Sequence, residues 1–144
     1  MGFQVVVFSL GNEEYGLPIE SVQEITRLTE IHPIPKAPDY LKGLISIRGE
    51  AIPLIDMQER FSVKSQNGLE YAIIIEINGS LIAFAVEEVK EVRTLENISP
   101  PPLLINSPFI GGIVNLPDRI IIQIYPERIL EEEELTGLQS LTAN

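Results

Sequence analysis

Apolar residues along this chain fall into short runs separated by polar turns, a pattern typical of β-hairpins. Val5–Leu10 and Tyr15–Ile19 flank one such turn. Tyr71–Ile77 and Leu81–Val86 flank Asn78-Gly79, and Asn-Gly between two apolar runs is the strongest short hairpin signal. The pattern therefore predicts two hairpins, one near the start of the chain and one near its middle.

The two halves of the chain also resemble each other. Ser21–Ile25 matches Glu88–Val92 at a separation of 67 positions, and Gly43–Ile47 matches Gly112–Leu116 at a separation of 69. Gly43–Ile47 and Gly112–Leu116 are each followed by a turn and then by another apolar run. We interpret this as an internally duplicated all-β fold with short helices, in which two lobes of about five strands each curl into small barrels.

Two short helices and a linker complete the predicted elements. Asp56 can cap a helix whose third residue, Glu59, closes a capping box, and Pro126 suits the first position of a second helix. The polar stretch Phe61–Gly68 is expected to link the two lobes.

These elements define one domain over residues 1–144. We expect its lobes at approximately 15–80 and 81–125, with an N-terminal strand and a C-terminal helix outside them. Glu131–Glu134 would stand unfavourably at the negative C-terminal end of that helix. The stretch 131–144 is therefore expected to be a flexible tail without a function of its own.

Composition supports a globular β protein and excludes several kinds of partner. Hydrophobic residues make up 44% of the chain, and Ile and Val, which favour strands, dominate them. The net charge of −11 would repel phosphate backbones, so nucleic acid is excluded as a partner. No apolar run approaches the ~20 residues that cross a bilayer, and Met1–Val6 has no leader-like features. We therefore expect a cytoplasmic protein without direct membrane insertion.

The sequence offers little equipment for catalysis or for binding a metal or cofactor. It contains no cysteine, and His32 is its single histidine; His32 is most simply read as a surface or partly buried residue. The carboxylates of Asp56, Glu87 and Glu88 leave open an alternative, a small hydrolytic or ligand-binding barrel with convergent acids. We nevertheless expect a non-enzymatic protein with no cofactor and no metal.

Four motifs in order along the chain resemble the CheW family of bacterial chemotaxis coupling proteins. They are Val22–Ile25, Ile34–Gly43, Ile47–Gly49 and Ile52–Asp56, and the similarity extends from about Phe3 to Leu130. The resemblance implies two SH3-like β-barrel lobes. It also implies an adaptor that couples the cytoplasmic tips of methyl-accepting chemotaxis receptors to the regulatory domain of the histidine kinase CheA, recruited to receptor arrays at the inner face of the membrane.

The same resemblance implies which residues meet each partner. Those implied at the receptor surface are apolar and come from both lobes: Val6, Ile19, Val22, Ile25, Val89 and Val92. Those implied at the kinase surface come from the first lobe: Glu24, Ile31, Lys42, Gly43, Arg48 and Gly49.

Arg48 is the most distinctive of these residues, because it stands at the tip of an otherwise apolar hairpin. We expect Gly49 to let the turn adopt a positive φ angle and the guanidinium to face another protein. The alternative is an internal salt bridge from Arg48 to Glu50 or to another acid. Pro117 stands at the aligned position of the second half, so the fold itself does not require arginine there.

Overall fold

Ten β-strands form two five-stranded sheets in the computed structural model, which describes residues 2–101 and 107–142. The strands are β1 (Phe3–Leu10), β2 (Glu13–Pro18), β3 (Val22–Arg27), β4 (Leu41–Ile47), β5 (Glu50–Asp56), β6 (Tyr71–Ile77), β7 (Ser80–Val86), β8 (Glu88–Leu95), β9 (Ile110–Asn115) and β10 (Ile120–Ile124). The helices are α1 (Met57–Arg60) and α2 (Glu132–Thr142), with 3-10 turns at Ile19–Ser21 and Pro126–Arg128. Within the described ranges, no helix has the length and apolar character that a membrane span requires.

Each sheet forms one lobe, and the two lobes have the same strand order. We call the sheet β3-β6-β7-β5-β4 lobe 1 and the sheet β8-β1-β2-β10-β9 lobe 2. In both lobes one strand of the central hairpin pairs with an edge strand. The other strand of that hairpin forms a parallel pair with a second hairpin: β7 with β5 in lobe 1, and β2 with β10 in lobe 2. The predicted two-lobed, internally duplicated all-β fold is confirmed.

The lobes do not correspond to continuous halves of the chain, because the two sequence repeats exchange their first hairpins. Hairpin β1-β2 belongs to the first repeat but pairs with β8 and β10 of the second. Hairpin β6-β7 belongs to the second repeat but pairs with β3 and β5 of the first. Lobe 1 therefore extends through Val86 rather than ending near residue 80, and β2 lies outside it.

Matched glycines explain why the two repeats align so well around residues 43 and 112. Gly43 has a φ of +149°, and a Cβ atom there would lie 2.4 Å from the carbonyl oxygen of His32. This close approach lets His32 exchange two backbone hydrogen bonds with Leu44, of 2.8 and 2.9 Å, at the outer edge of β4. The arrangement recurs in lobe 2, where a Cβ atom on Gly112 would lie 2.8 Å from the carbonyl oxygen of Ser99.

The largest apolar cluster lies between the lobes, and we call it the inter-lobe core. Alternation along β6 illustrates its origin, since Ile73 and Ile75 contribute to the inter-lobe core while Ala72 and Ile74 fill the interior of lobe 1. A separate small cluster that includes Val5 fills lobe 2. Strands that are apolar on both faces are thus covered on one face by their own lobe and on the other by its neighbour.

The stretch expected to be a flexible tail is instead a packed helix as far as residue 142. Leu135 and Leu138 of α2 are 7% and 3% exposed and belong to the inter-lobe core. Arg60 fixes the helix through two hydrogen bonds to the Glu134 carboxylate, of 2.9 and 2.7 Å. The glutamates stand at the N-terminal end of α2, where the helix dipole favours negative charge. Residues 143 and 144 lie outside the described part of the chain.

The stretch Phe61–Gly68 does not link the lobes either. It joins α1 to β6, and both elements belong to lobe 1. The ring of Phe61 stacks on that of Phe109 from lobe 2, with centroids 4.7 Å apart. The helix cap at the preceding strand end is confirmed, because Asp56 Oδ1 accepts a 3.0 Å hydrogen bond from the Glu59 amide.

Candidate protein-interaction surfaces

Four of the six residues assigned to the receptor surface lie on the edge strands β3 and β8, along the margin of the inter-lobe core. Val6 lies on β1, next to β8, and Ile19 lies in the 3-10 turn that precedes β3. We call the following set the seam: Val6, Ile19, Val22, Ile25, Val89 and Val92. In lobe 2, Val92 stands directly opposite Val6, and Val89 stands opposite Phe8. In lobe 1, Ile25 stands opposite Ile73 of the inter-lobe core. A β-bulge in each edge strand preserves this shared face despite the uneven spacing of the seam residues.

Exposure varies strongly within the seam. Val92 is 52% exposed and Ile25 is 39% exposed, although both are large apolar side chains. Val22 and Val89 are half-buried against the inter-lobe core. Val6, the cross-strand neighbour of Val92, is only 2% exposed and offers almost no surface of its own.

The opposite face of β3 carries a charged pair. Glu24 alternates with Ile25 and stands opposite Ile74 of the lobe 1 interior. Its carboxylate accepts two hydrogen bonds from the Arg48 guanidinium, one of them 3.2 Å from Nη1 to Oε2. The bond from Arg48 lowers the pKa of the Glu24 carboxyl, against an opposing effect of burial. The internal salt bridge considered for Arg48 therefore exists, with Glu24 as its partner.

The turn that carries Arg48 still presents it to solvent. Arg48 has a φ of +50° and Gly49 a φ of +81°, which are typical of the two-residue turns that suit twisted hairpins. The side chain of Arg48 is 77% exposed while paired to a Glu24 side chain that is 30% exposed. Two bonds to Glu24 leave the other N–H donors of the guanidinium free for a second acceptor.

Of the other residues assigned to the kinase surface, Lys42 and Gly43 lie further along β4, and Ile31 lies in the segment between β3 and β4. Lys42 lies six residues before Arg48 on the chain, about 20 Å along an extended strand, and its Nζ is 3.7 Å from Asp56 Oδ2. Ile31 packs half-buried against the lobe 1 interior, and Gly43 is buried beside it. The structure therefore brings Glu24, Arg48 and Gly49 together but not the remaining three.

Lobe 2 contains a second ion pair that the sequence analysis missed. Glu91 lies 67 positions after Glu24 and accepts a hydrogen bond from Arg119, which also lies 3.5 Å from Glu14. The bond from Arg119 lowers the pKa of the Glu91 carboxyl. The aligned position in the turn is Pro117, which cannot adopt the positive φ angle of Arg48. The arginine is displaced by two positions, so an alignment of single positions could not find it.

Glu87 is the strongest candidate for a catalytic carboxylate, and its hydrogen bonds assign it a structural position. Its Oε2 accepts bonds from the Gly11 amide at 2.8 Å and from Gln58 at 2.7 Å. Its Oε1 accepts a 3.1 Å bond from Asn67. Burial raises the pKa of the Glu87 carboxyl, but these bonds and one from Ser65 outweigh it and hold that pKa below its ordinary value.

The other candidate carboxylates do not converge on Glu87. Asp56 caps α1, and Glu88 pairs with Lys90 at 3.2 Å on an exposed strand end. Among the residues described, no group of three or more potential metal ligands lies close enough together to hold an ion.

Comparison with known proteins relates the whole chain to one family. A family model described as a CheW-like domain matches residues 4–134. The chemotaxis protein CheW of Klebsiella aerogenes is 31% identical to this chain. The alignment spans 145 positions, gaps included, and covers 94% of this chain and 86% of that protein. The chemotaxis protein CheW of Treponema pallidum is 30% identical, with 96% and 88% covered.

A solved structure supports the same relationship. The scaffolding protein TtCheW from Thermoanaerobacter tengcongensis superposes with a TM-score of 0.83 at 36% sequence identity. The superposition covers 91% of this chain and 89% of that one. The similarity therefore extends over both lobes.

Proposed function

The chain belongs to the family of CheW-like proteins, and from that premise we propose that it couples chemoreceptors to the histidine kinase CheA. The family resemblance found in the four sequence motifs is confirmed, and the chain is a chemotaxis adaptor. Its proposed partners are the cytoplasmic tip of a methyl-accepting receptor and the regulatory domain of the kinase. In this proposal the receptors recruit it to arrays at the inner face of the membrane.

The two faces of β3, which contains a β-bulge after Val22, support this proposal. Val22 and Ile25 point to the seam, whereas Glu24 points to the other face and holds Arg48. One edge strand thus contributes to an apolar surface and to a charged surface on opposite sides. An adaptor that binds two partners at once requires two surfaces that do not overlap.

We assign the seam to the receptor because its chemistry suits a helix. A helical hairpin presents apolar side chains at positions i, i+3 and i+4, and such anchors fit an apolar groove. The exposed side chains of Ile25 and Val92 offer the apolar area. The neighbouring residues Val22 and Val89 are half-buried and pack against the inter-lobe core.

We assign the Glu24–Arg48 face to the kinase. The half-buried side chains of Ile47 and Leu81 line a hollow beside the pair, so a partner would meet some apolar surface next to the charges. Charges at a rim fix orientation and specificity more than affinity. Gly43 and Ile31 would support this surface by shaping the edge of β4.

A scaffold explains the candidate carboxylates better than a hydrolytic or ligand-binding barrel does. Glu87 binds four donors that tie loops together, and Asp56 caps a helix. A general acid or base must reach a substrate. These two groups already have structural partners.

The proposed function is tested by reconstitution with purified receptor tip fragment and CheA. We expect kinase autophosphorylation to rise when the chain is added to both, because it would hold the kinase on the receptor. The control omits the receptor fragment. A kinase rate that is unchanged by the chain in the presence of both partners would contradict the proposal.

Arg48→Glu tests the kinase surface. We expect binding of the CheA regulatory domain to weaken about tenfold, because reversing a rim charge opposes the partner's potential. The thermal midpoint should hardly change, because exposed ion pairs contribute little to stability. Calorimetric titration and a melting curve measure both quantities.

Glu24→Gln is the matched control for Arg48→Glu. It breaks the internal pair but keeps the arginine, so binding should fall less than in Arg48→Glu if the guanidinium itself meets the kinase. Undiminished binding by a folded Arg48→Glu variant would mean that the pair is purely internal.

A further inference from the structure

The seam ends at an arginine that has no acidic partner among the described residues. Most cations of this acidic chain are paired: Lys42, Arg48, Arg60, Lys90, Arg93 and Arg119 all form ion pairs. Arg27 forms none within the described ranges, although the chain carries 21 acidic residues and only 10 lysines and arginines. Four of the six arginines are paired in this way, so Arg27 and Arg128 are the arginines left without an acidic partner among the described residues.

The position of Arg27 connects it to the seam. It is the last residue of β3 and stands opposite Tyr71, just as Ile25 two residues earlier stands opposite Ile73. Side chains that alternate by two along a strand share a face, so Arg27 and Ile25 lie on the same side. Tyr71 in turn packs against the inter-lobe core.

The guanidinium is held in place by an aromatic ring. Arg27 Cζ lies 5.1 Å from the centroid of the Tyr71 ring, which is within the range of a cation–π contact. A cation–π contact uses none of the N–H donors of the guanidinium, so they remain available to another acceptor. A cation that is already oriented loses less freedom when it binds.

We propose that Arg27 binds a carboxylate on the receptor helix that occupies the seam, and so selects receptors that carry an acidic side chain there. The inference rests on the proposed function, because it requires a helix on Ile25 and Val92. A bidentate pair between guanidinium and carboxylate is the geometry that arginine favours. Elsewhere the net charge of −11 repels acidic groups, so Arg27 also fixes where along the seam the acid can lie.

The spacing predicts the position of the acid on the partner. Arg27 lies two residues beyond Ile25, about 7 Å along the strand. A helix that runs along β3 rises about 6 Å over four residues. The acidic residue should therefore lie about four positions from the apolar residue that contacts Ile25.

The test compares Arg27→Met with Arg128→Met in binding to a purified receptor tip fragment. Methionine retains an unbranched apolar stem over the tyrosine ring but removes the charge. Arg128 is a matched control, since its Cζ lies 4.5 Å from the Tyr125 ring centroid but it belongs to neither β3 nor β8. Dissociation constants are measured at about 0.05 M and about 0.5 M salt, where screening of exposed charges differs strongly.

We expect Arg27→Met to bind about fivefold more weakly than the wild type at low salt, with the difference largely lost at high salt. Arg128→Met should bind like the wild type at both. Changing the acid of the receptor fragment to lysine should reproduce the loss, and pairing that fragment with Arg27→Glu should restore binding.

The outcomes separate this inference from the function on which it rests. If the wild type binds the fragment and Arg27→Met binds equally well at low salt, the inference is overturned and the proposed function stands. An equal loss of affinity in Arg128→Met would also overturn the inference, because the effect would then depend on the net charge of the chain and not on the position of Arg27. If the folded wild type does not bind the fragment, the proposed function fails and the inference fails with it.

Discussion

Gly43→Ala should destabilise the protein by about 3 kcal/mol, which corresponds to a fall of about 10 °C in the melting temperature. The new Cβ atom would lie 2.4 Å from the carbonyl oxygen and 2.9 Å from the carbonyl carbon of His32. Both atoms belong to the backbone, so no flexible side chain can move away. Relief of the clash would break the two hydrogen bonds between His32 and Leu44. Urea unfolding followed by circular dichroism measures the loss.

Gly49→Ala is the matched control for this substitution. Gly49 also has a positive φ angle, of +81°, but a Cβ atom there would meet nothing within 4 Å. Its cost is then the conformational strain alone, about 1 kcal/mol. Equal losses at the two positions would contradict the role given to the close approach at Gly43.

Glu87→Leu should lower the free energy of unfolding by about 3 kcal/mol at neutral pH, because three partly buried hydrogen bonds to a charged acceptor are lost together. The Gly11 amide, Gln58 and Asn67 all lose their acceptor. These donors come from the β1-β2 turn, from α1 and from the loop before β6, so the contacts that join lobe 2 to lobe 1 should loosen together. Chemical denaturation measures the loss. Glu88→Leu, which replaces the exposed neighbour, is the control and should cost far less.

Stability should also depend on pH through Glu87. Its pKa in the folded protein lies below the ordinary value of 4.5, so the folded state binds the proton less readily than the unfolded state does. The contribution is present above pH 4.5 and is lost as the pH falls through the lowered pKa. Glu87→Gln should therefore show a shallower loss of stability below pH 4.5 than the wild type does. Identical slopes would contradict this assignment.

Local sequence signals were sufficient to predict the hairpins and the duplication. Asn78 and Gly79 adopt φ angles of +51° and +81°, as expected of an Asn-Gly turn. The exchange of hairpins between the repeats could not be read in the same way. Which edge strand a hairpin joins depends on contacts distant in sequence, and an apolar strand suits either sheet equally well.

The packing of α2 differs from the prediction because the glutamates obscure the apolar spacing that follows them. The sequence pattern predicts Glu131–Glu134 at the C-terminal end of a helix, whereas they lie at the beginning of α2. Leu135 and Leu138 stand three residues apart, a spacing that places them on one helical face. That spacing was the available signal for a docked helix.

The ion pairs on the two lobes could not be predicted from the sequence. Glu24 and Arg48 are 24 positions apart, and no local pattern connects a strand residue to a turn residue at that distance. Glu91 and Arg119 repeat the arrangement in lobe 2, with the arginine displaced past Pro117. The seam residues, by contrast, follow from the family resemblance. The bulges in β3 and β8 give four of them, Val22, Ile25, Val89 and Val92, a common face.

The central claim is that opposite faces of β3 bind two partners at once, and sedimentation of a three-component mixture tests it directly. The wild type, the receptor tip fragment and the CheA regulatory domain should form one ternary complex. Ile25→Glu, which charges the seam, should lose the receptor fragment and keep the kinase domain, whereas Arg48→Glu should weaken only the kinase domain. If the two partners displace each other from the wild type, or if either folded variant loses both, the account is contradicted.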